Sequence, residues 1–362
     1  MPNNAAENRL PVTLLTGFLG SGKTTLLRRV LTCPELSDTA VVINEVGEIA
    51  IDHYLVDFIA GDVVELPGGC LCCAVREDLA RTLRGLLDRR DSADIRPFRR
   101  IAVETTGLAD PGPILFTLST DAMLDQRLRL ERVVTVVDAV AGAATLDRFA
   151  EAARQAAIAD ALVVSKTDLA PFGPELAERL DALNPGAERL LAADADPAAV
   201  LFPPVSRHPR ISGGPGATAG PPPLDPRFRG NDDGGEHANH SHGIATYSVV
   251  LERPVSTFAF ARALGGLAQE RGYDLLRVKG LVAFADRPER AAVIQAAQHA
   301  MFAPEWLDDW PDADHRNRLV FIVHDIAPDE ILARFAFASP SLLGPRASGP
   351  HVGRTPALRS IK

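Results

Sequence analysis

The chain has 362 residues, 46% hydrophobic and 23% charged, which is the balance of a globular protein large enough for two cores. Its formal net charge of -9 argues against nucleic acid as the main partner. Only 4 cysteines are present and three of them fall within four residues, which excludes a disulfide framework and points to a reducing, cytoplasmic setting.

Residues 1–9 are polar, lack the apolar core of a signal peptide, and read as a flexible N-terminus. No apolar run is long enough to span a membrane, so no membrane partner is expected. Leu10–Leu15 reads as the first strand. Leu26, Leu27, Val30 and Leu31 then mark one stripe of a helix. Short apolar runs recur at Ala40–Ile43, Val63–Leu66, Ile101–Val103, Val133–Val137 and Ala161–Val164. Helical patterns at Arg76–Arg90 and Pro174–Leu183 lie among them. Buried runs alternating with helices predict an α/β domain over 10–202, a parallel sheet with helices on both faces.

Residues 203–243 are rich in Pro and Gly, contain a His tract, and read as a flexible linker unable to offset its ordering entropy by burial. A smaller C-terminal α/β domain is expected over 244–338. Its strands are read at Thr246–Leu251, Leu275–Phe284 and Leu319–Val323, and its helices at Phe258–Glu270, Glu289–His299 and Asp329–Phe337. Residues 339–362 read as a disordered tail.

The segment Gly17-Phe18-Leu19-Gly20-Ser21-Gly22-Lys23-Thr24-Thr25 lies between the first strand and the first helix. This is the pattern of a P-loop, which cradles the phosphates of a nucleoside triphosphate. Gly17, Gly20 and Gly22 with Ser21 let backbone amides turn toward phosphate oxygens, and the helix adds its positive N-terminal end. Lys23 would reach the β- and γ-phosphates, Thr24 would bind Mg2+, and Thr25 the α-phosphate. Glu104 closes a strand and can hold a magnesium-bound water, while Gly107 can present its amide to the γ-phosphate. Glu45 and Glu48, in Ile43–Asp52, could orient the attacking water, hold magnesium or ligate another metal, and the sequence leaves these roles open. Lys23, Glu45 and Glu104 are taken as the catalytic candidates.

Ser165-Lys166-Thr167-Asp168 follows the run Ala161–Val164. An aspartate here can accept both edge donors of guanine, with the Lys166 stem over the ring, whereas adenine lacks matching donors. GTP is thus expected over ATP.

Cys70, Cys72 and Cys73 form a second chemical cluster. Thiolates bind zinc, copper(I) and other soft metals, and three local ligands leave a fourth position open, which suits a transferable metal. In an extended segment Cys70 and Cys72 would point the same way, and Cys73 would precede a helix over Ala74–Arg90 that favours its thiolate. A redox role and a packed cluster are the alternatives. His237, His240 and His242 could capture a metal or be incidental linker residues.

Together these segments resemble the CobW-type family of P-loop GTPases, over about residues 10–200 and 244–338. The carriers are Gly17–Thr25, Ile43–Asp52, Gly69–Cys73, Glu104–Pro111, Gln155–Asp160 and Ser165–Asp168. In the second domain they are Leu276–Gly280 and Arg318–Ile322. The resemblance implies slow GTP hydrolysis, zinc binding at Cys70, Cys72 and Cys73, and delivery of zinc, or in some members cobalt, to a client metalloprotein. A homodimer is compatible with it. Val46 replaces a common Phe, and Ser165 the usual Asn. A metal buffer or sensor with a structural nucleotide, and a redox-regulated P-loop enzyme, are the competing readings.

Overall fold

The structure is a computed structural model and describes residues 9–44, 63–65, 72–203 and 242–342. The first part contains β1 (Leu10–Thr16), α1 (Lys23–Leu31), β2 (Thr39–Asn44), β3 (Val63–Glu65), α2 (Cys72–Asp91) and β4 (Arg100–Thr105). These are followed by α3 (Gly112–Thr120), α4 (Ala122–Arg127), β5 (Leu128–Asp138), α5 (Gly142–Arg148), α6 (Ala150–Ile158) and β6 (Ala161–Ser165). It ends with α7 (Pro174–Leu183), β7 (Glu188–Leu191) and α8 (Pro197–Leu201). The strands form a seven-stranded sheet in the order β3-β2-β4-β1-β5-β6-β7, with every pairing parallel.

Alternation along the strands explains the two covered faces. Val12, Leu14, Ile101 and Val103 pack toward α2 and α3 with Leu79, Leu83, Leu87 and Leu115. Leu15, Ala102, Val134 and Val136 point the other way, onto Leu26, Leu27 and Val30 of α1 and Val200 and Leu201 of α8. Each fully buried Leu, Ile or Val of these layers contributes about 1.5–3 kcal/mol. Arg28 and Arg29 occupy the last turn of α1, where cations complement the helix dipole. No helix among the described residues is long and apolar enough to cross a membrane.

The second part contains β8 (Ile244–Leu251), α9 (Thr257–Arg271), β9 (Arg277–Ala283), β10 (Ala291–Ala297), β11 (Ala300–Met301) and β12 (Glu305–Trp306). β13 (Asn317–His324), α10 (Pro328–Arg334) and β14 (Pro340–Leu342) complete it. Its antiparallel sheet has the order β11-β10-β9-β13-β8-β14, with β12 on β10. One face packs on α9 through Val249, Val278, Val282 and Phe321 against Phe260, Leu264 and Leu267.

Two expectations are corrected. Glu289–His299, read as a helix, holds the strand β10 instead. Ala292, Ile294 and Ala296 face the α9 core, while Ala297 packs with the first domain, so burial on both faces overrides the helix preference of its alanines. Pro340–Leu342, placed in the tail by composition, adds an edge strand to β8.

The second sheet meets the first domain along α3, through β10 and β11, and along α7, through β8. Ala297 and Ala300 join the core beneath α3, and His299 meets Phe116 edge-on at 5.9 Å. Asp160 is buried between Arg277 and Lys279 of β9 and accepts a hydrogen bond from Val133 N at 2.8 Å. Burial disfavours the charged carboxylate, but Arg277 and Lys279 outweigh it and hold Asp160 well below the usual carboxylate range.

Candidate functional site

The site lies at the carboxyl edge of the parallel sheet, where β1 turns into α1. Backbone demands fix its glycines. Gly17, Gly20 and Gly22 have φ of 141°, 71° and 97°. A Cβ on Gly17 would lie 2.4 Å from the carbonyl oxygen of Val136 in β5. Ser21 N donates to Phe18 O at 3.1 Å and closes the loop. Gly22 is the N-cap of α1 and brings no side chain, so the first amides of the helix stay open to an outside acceptor.

Lys23 is only 8% exposed, and its ammonium donates to Gly17 O at 2.8 Å and Phe18 O at 3.2 Å, within the same loop. Thr24 Oγ1 donates to Glu104 Oε1 at 2.8 Å. Glu104 is buried next to the end of β4, paired with Leu15 of β1 and Ile43 of β2. Thr105 Oγ1 donates to Thr16 Oγ1 at 2.8 Å, fixing the ends of the same two strands. Thr25 is exposed on the first turn of the helix.

Gly107 lies against the loop, since a Cβ there would lie 2.5 Å from Leu19 N. Gln155 of α6, which is buried, donates through Nε2 to Gly107 O at 3.2 Å and Ala109 O at 3.0 Å. Sequence reasoning noted the segment Gln155–Asp160 but gave Gln155 no task. The available signal was a lone amide in an alanine-rich helix.

Ser165 ends β6, and its hydroxyl donates to Ser21 O at 2.5 Å. Ser165 thus ties this strand end directly to the phosphate loop. Lys166 adopts φ 56° and pairs with Asp138, a partner that sequence reasoning missed. The following turn is closed by Leu169 N donating to Lys166 O at 3.0 Å, and it leaves Asp168 exposed.

Cys72 and Cys73 are the first two residues of α2, so the helix begins earlier than expected and the extended geometry read for Cys72 is replaced by a helical turn. Cys70, Glu45, Glu48, Val46, His237 and His240 lie outside the described residues. His242 Nε2 lies 2.8 Å from Leu146 O. The register places Ile43 beside Glu65 on one side and Glu104 on the other, and Leu15 beside Glu104. The carboxyl end of β3 therefore lies at the sheet edge that carries the loop.

The residues fit a phosphate group with its counter-cation. The glycine cradle admits no side chain at Gly17, a buried lysine and open helix amides lie together at the loop, and Thr24 joins a buried carboxylate beside it. Among the described residues the buried Ser21 Oγ has no hydrogen-bond partner.

This fold and cradle define a P-loop nucleotide-binding protein. The chain belongs to the CobW/HypB/UreG family: residues 11–190 match the model of its nucleotide-binding domain, and residues 244–338 match the cobalamin synthesis protein cobW C-terminal domain. It is similar to the zinc chaperone YjiA of Escherichia coli (strain K12), with 34% identity over 330 residues, 91% of this chain and 98% of that protein. The zinc chaperone CobW of Pseudomonas aeruginosa is 33% identical over 364 residues, 88% of each chain. The crystal structure of the Zn(II)-bound YjiA GTPase from E. coli matches with a TM-score of 0.63 at 28% identity, over 91% of this chain and 99% of that one. The resemblance drawn from the motifs is thereby borne out.

Proposed function

We propose that the protein is a GTP-hydrolysing zinc metallochaperone of the reducing cytoplasm, delivering zinc to a client metalloprotein. The observation that carries the reading is the Thr24–Glu104 hydrogen bond beside the Gly17–Gly22 cradle, in a chain whose relatives are named zinc chaperones. Gly17, Gly20, Ser21, Gly22 and Thr25 bind phosphate oxygens through the loop and the start of α1, and Lys23 leaves its carbonyl partners for the β- and γ-phosphates. Thr24 would hold Mg2+ directly and Glu104 through water; the ion, when bound, offsets the charge that develops on the phosphates. Gly107 donates its amide to the γ-phosphate. Asp168 reads guanine, and Lys166 covers the ring. Glu45 orients the attacking water.

Cys70, Cys72 and Cys73 hold the zinc that is cargo. Their affinity depends on the bound nucleotide, because β3, which precedes them in the chain, ends at the same sheet edge as the phosphate loop. Such coupling is reciprocal: if GTP tightens zinc, zinc tightens GTP.

The test is a zinc competition titration on reduced protein, with a non-hydrolysable GTP analogue and with GDP, for wild type and C72A. Tighter zinc with the GTP analogue, lost in C72A, is the expected result. Equal zinc affinities in both nucleotide states leave a metal buffer instead. Reversible disulfides with no bound metal leave a redox-regulated enzyme.

A further inference from the structure

The loop between β4 and α3 is held from outside by two glutamine amides, and they come from different domains. Gln155 of α6 holds Gly107 O and Ala109 O. Gln298, in the turn between β10 and β11 of the second domain, holds Asp110: its Nε2 donates to Oδ1 at 2.9 Å and to Oδ2 at 3.0 Å. An ionised carboxylate only accepts, so the amide nitrogen must face it. Asp110 Oδ1 also accepts from Gly112 N at 2.9 Å, which anchors the carboxylate to the start of α3.

The geometry around Gln298 is tightly determined. It is 2% exposed, its φ is 52°, and its backbone N–H donates to Leu275 O at 2.8 Å. A Cβ on Gly112 would fall 1.5 Å from Gln298 Oε1, so only glycine lets the amide approach the start of α3. A left-handed backbone at a non-glycine residue is strained and persists where the surroundings enforce it.

We propose that Gln298 is a positioning residue for the phosphate site, through which the second domain sets where the Gly107 amide stands. The loop from Gly107 to Asp110 is short and closed by a turn, Ala109 N to Thr106 O at 3.1 Å. Its position at Asp110 therefore determines its position at Gly107, which packs against Leu19 of the phosphate loop. A donor aimed at developing charge acts only at its proper distance, and small displacements are costly. The inference rests on the GTPase reading of the site. It adds that hydrolysis depends on docking of the second domain, and that docking responds to the nucleotide.

The experiment measures single-turnover GTP hydrolysis and fluorescent GDP binding on the full chain. Q298E sets two carboxylates face to face and is expected to slow hydrolysis about tenfold, about 1.4 kcal/mol of barrier. GDP affinity stays unchanged, because GDP lacks the phosphate that this loop faces. In the D110N/Q298E double variant the asparagine amide donates to the glutamate carboxylate, while its carbonyl keeps the bond from Gly112 N, so the rate returns. A folded Q298E that hydrolyses at the wild-type rate overturns the proposal, and so does a double variant as slow as the single one. Where Q298E does not fold, hydrogen exchange in the wild-type chain decides. Protection of residues 296–301 that differs between a GTP analogue and GDP supports the coupling, and identical protection overturns it. A wild-type chain without GTP turnover removes the GTPase reading itself, whereas a normal wild type with an unaffected Q298E removes this inference alone.

Discussion

Asp160 and Arg277, 117 residues apart in the chain, form an ion pair buried across the junction of the two sheets, with side chains 8% and 3% exposed. Lys279 shares the same carboxylate oxygen, and Val133 N occupies the other. The arrangement places the second domain directly on the turn between α6 and β6, the strand that leads to Ser165 and Asp168.

Removing the carboxylate leaves the buried Arg277 guanidinium without its anion, beside the half-exposed Lys279 ammonium. D160N is therefore expected to lower stability by about 3–5 kcal/mol, the usual cost of breaking a buried pair from one side. The pH dependence follows from the depressed carboxyl of the folded state. The folded group loses its proton at lower pH than the unfolded one, near 3.9, so its stabilisation is complete above about pH 5. It declines as pH falls below about 4 toward the folded-state value. Urea unfolding of wild type and D160N between pH 3 and 8 should show a constant gap at neutral pH that narrows only at the acid end. A gap that narrows near neutral pH would show that another group dominates.

Gly17 and Gly20 separate steric from conformational requirements. At Gly17 a Cβ meets a β5 carbonyl oxygen at 2.4 Å with φ at 141°, whereas a Cβ on Gly20 meets nothing within 4 Å at φ 71°. G17A is expected to cost about 3 kcal/mol or more, from strain and overpacking together, and G20A about 1–2 kcal/mol from the left-handed backbone alone. Denaturant midpoints for the two variants check the order. Equal losses would mean that the clash with Val136 is relieved by movement of the loop.

The parts legible in the sequence are those whose causes are local. Gly17–Thr25 is read in one pass because the turn, the amides and the helix start lie within nine residues. The parallel sheet is legible from short apolar runs buried on both faces. Glu104 is legible as a strand-end acid, but its partner Thr24 is 80 residues away and only the β1–β4 register joins them. The strand β10 was hidden because Ala-Ala-Val-Ile-Gln-Ala-Ala carries no alternation when both faces are covered. Gln298 and Asp110 stand 188 residues apart, and neither belongs to a pattern that announces a pairing.

Thr24 gives a prediction specific to the counter-cation. T24A keeps the glycine cradle and Lys23 but removes the hydroxyl that meets Glu104. GTP affinity in chelator is expected to stay at the wild-type level. The gain on adding Mg2+ should fall about tenfold, about 1.4 kcal/mol of binding energy. T24S, which retains the hydroxyl, should restore it. Titration of a fluorescent GTP analogue with and without Mg2+ reads the difference, and an undiminished Mg2+ effect in T24A would remove Thr24 from the ion's ligands.

Asp168 offers the most discriminating test, because it exchanges one base for another. The residue is exposed on the turn after β6, beside Lys166 and one strand end from Ser165, which is tied to the phosphate loop. A carboxylate accepts from both the ring N–H and the exocyclic amine of guanine. An asparagine at this place accepts one and confronts the other with its own amine. Xanthine carries a carbonyl oxygen where guanine carries that amine, so the asparagine amide matches xanthine as the carboxylate matches guanine. D168N should weaken GTP binding about 100-fold, about 2.7 kcal/mol, the scale of a lost charge-assisted contact plus an unpaired donor. It should bind XTP more tightly than the wild type does. Competition of GTP, XTP and ATP against one fluorescent nucleotide reads all three affinities in both proteins. A variant that loses GTP without gaining XTP would place the base elsewhere and leave Asp168 as a surface charge of the turn.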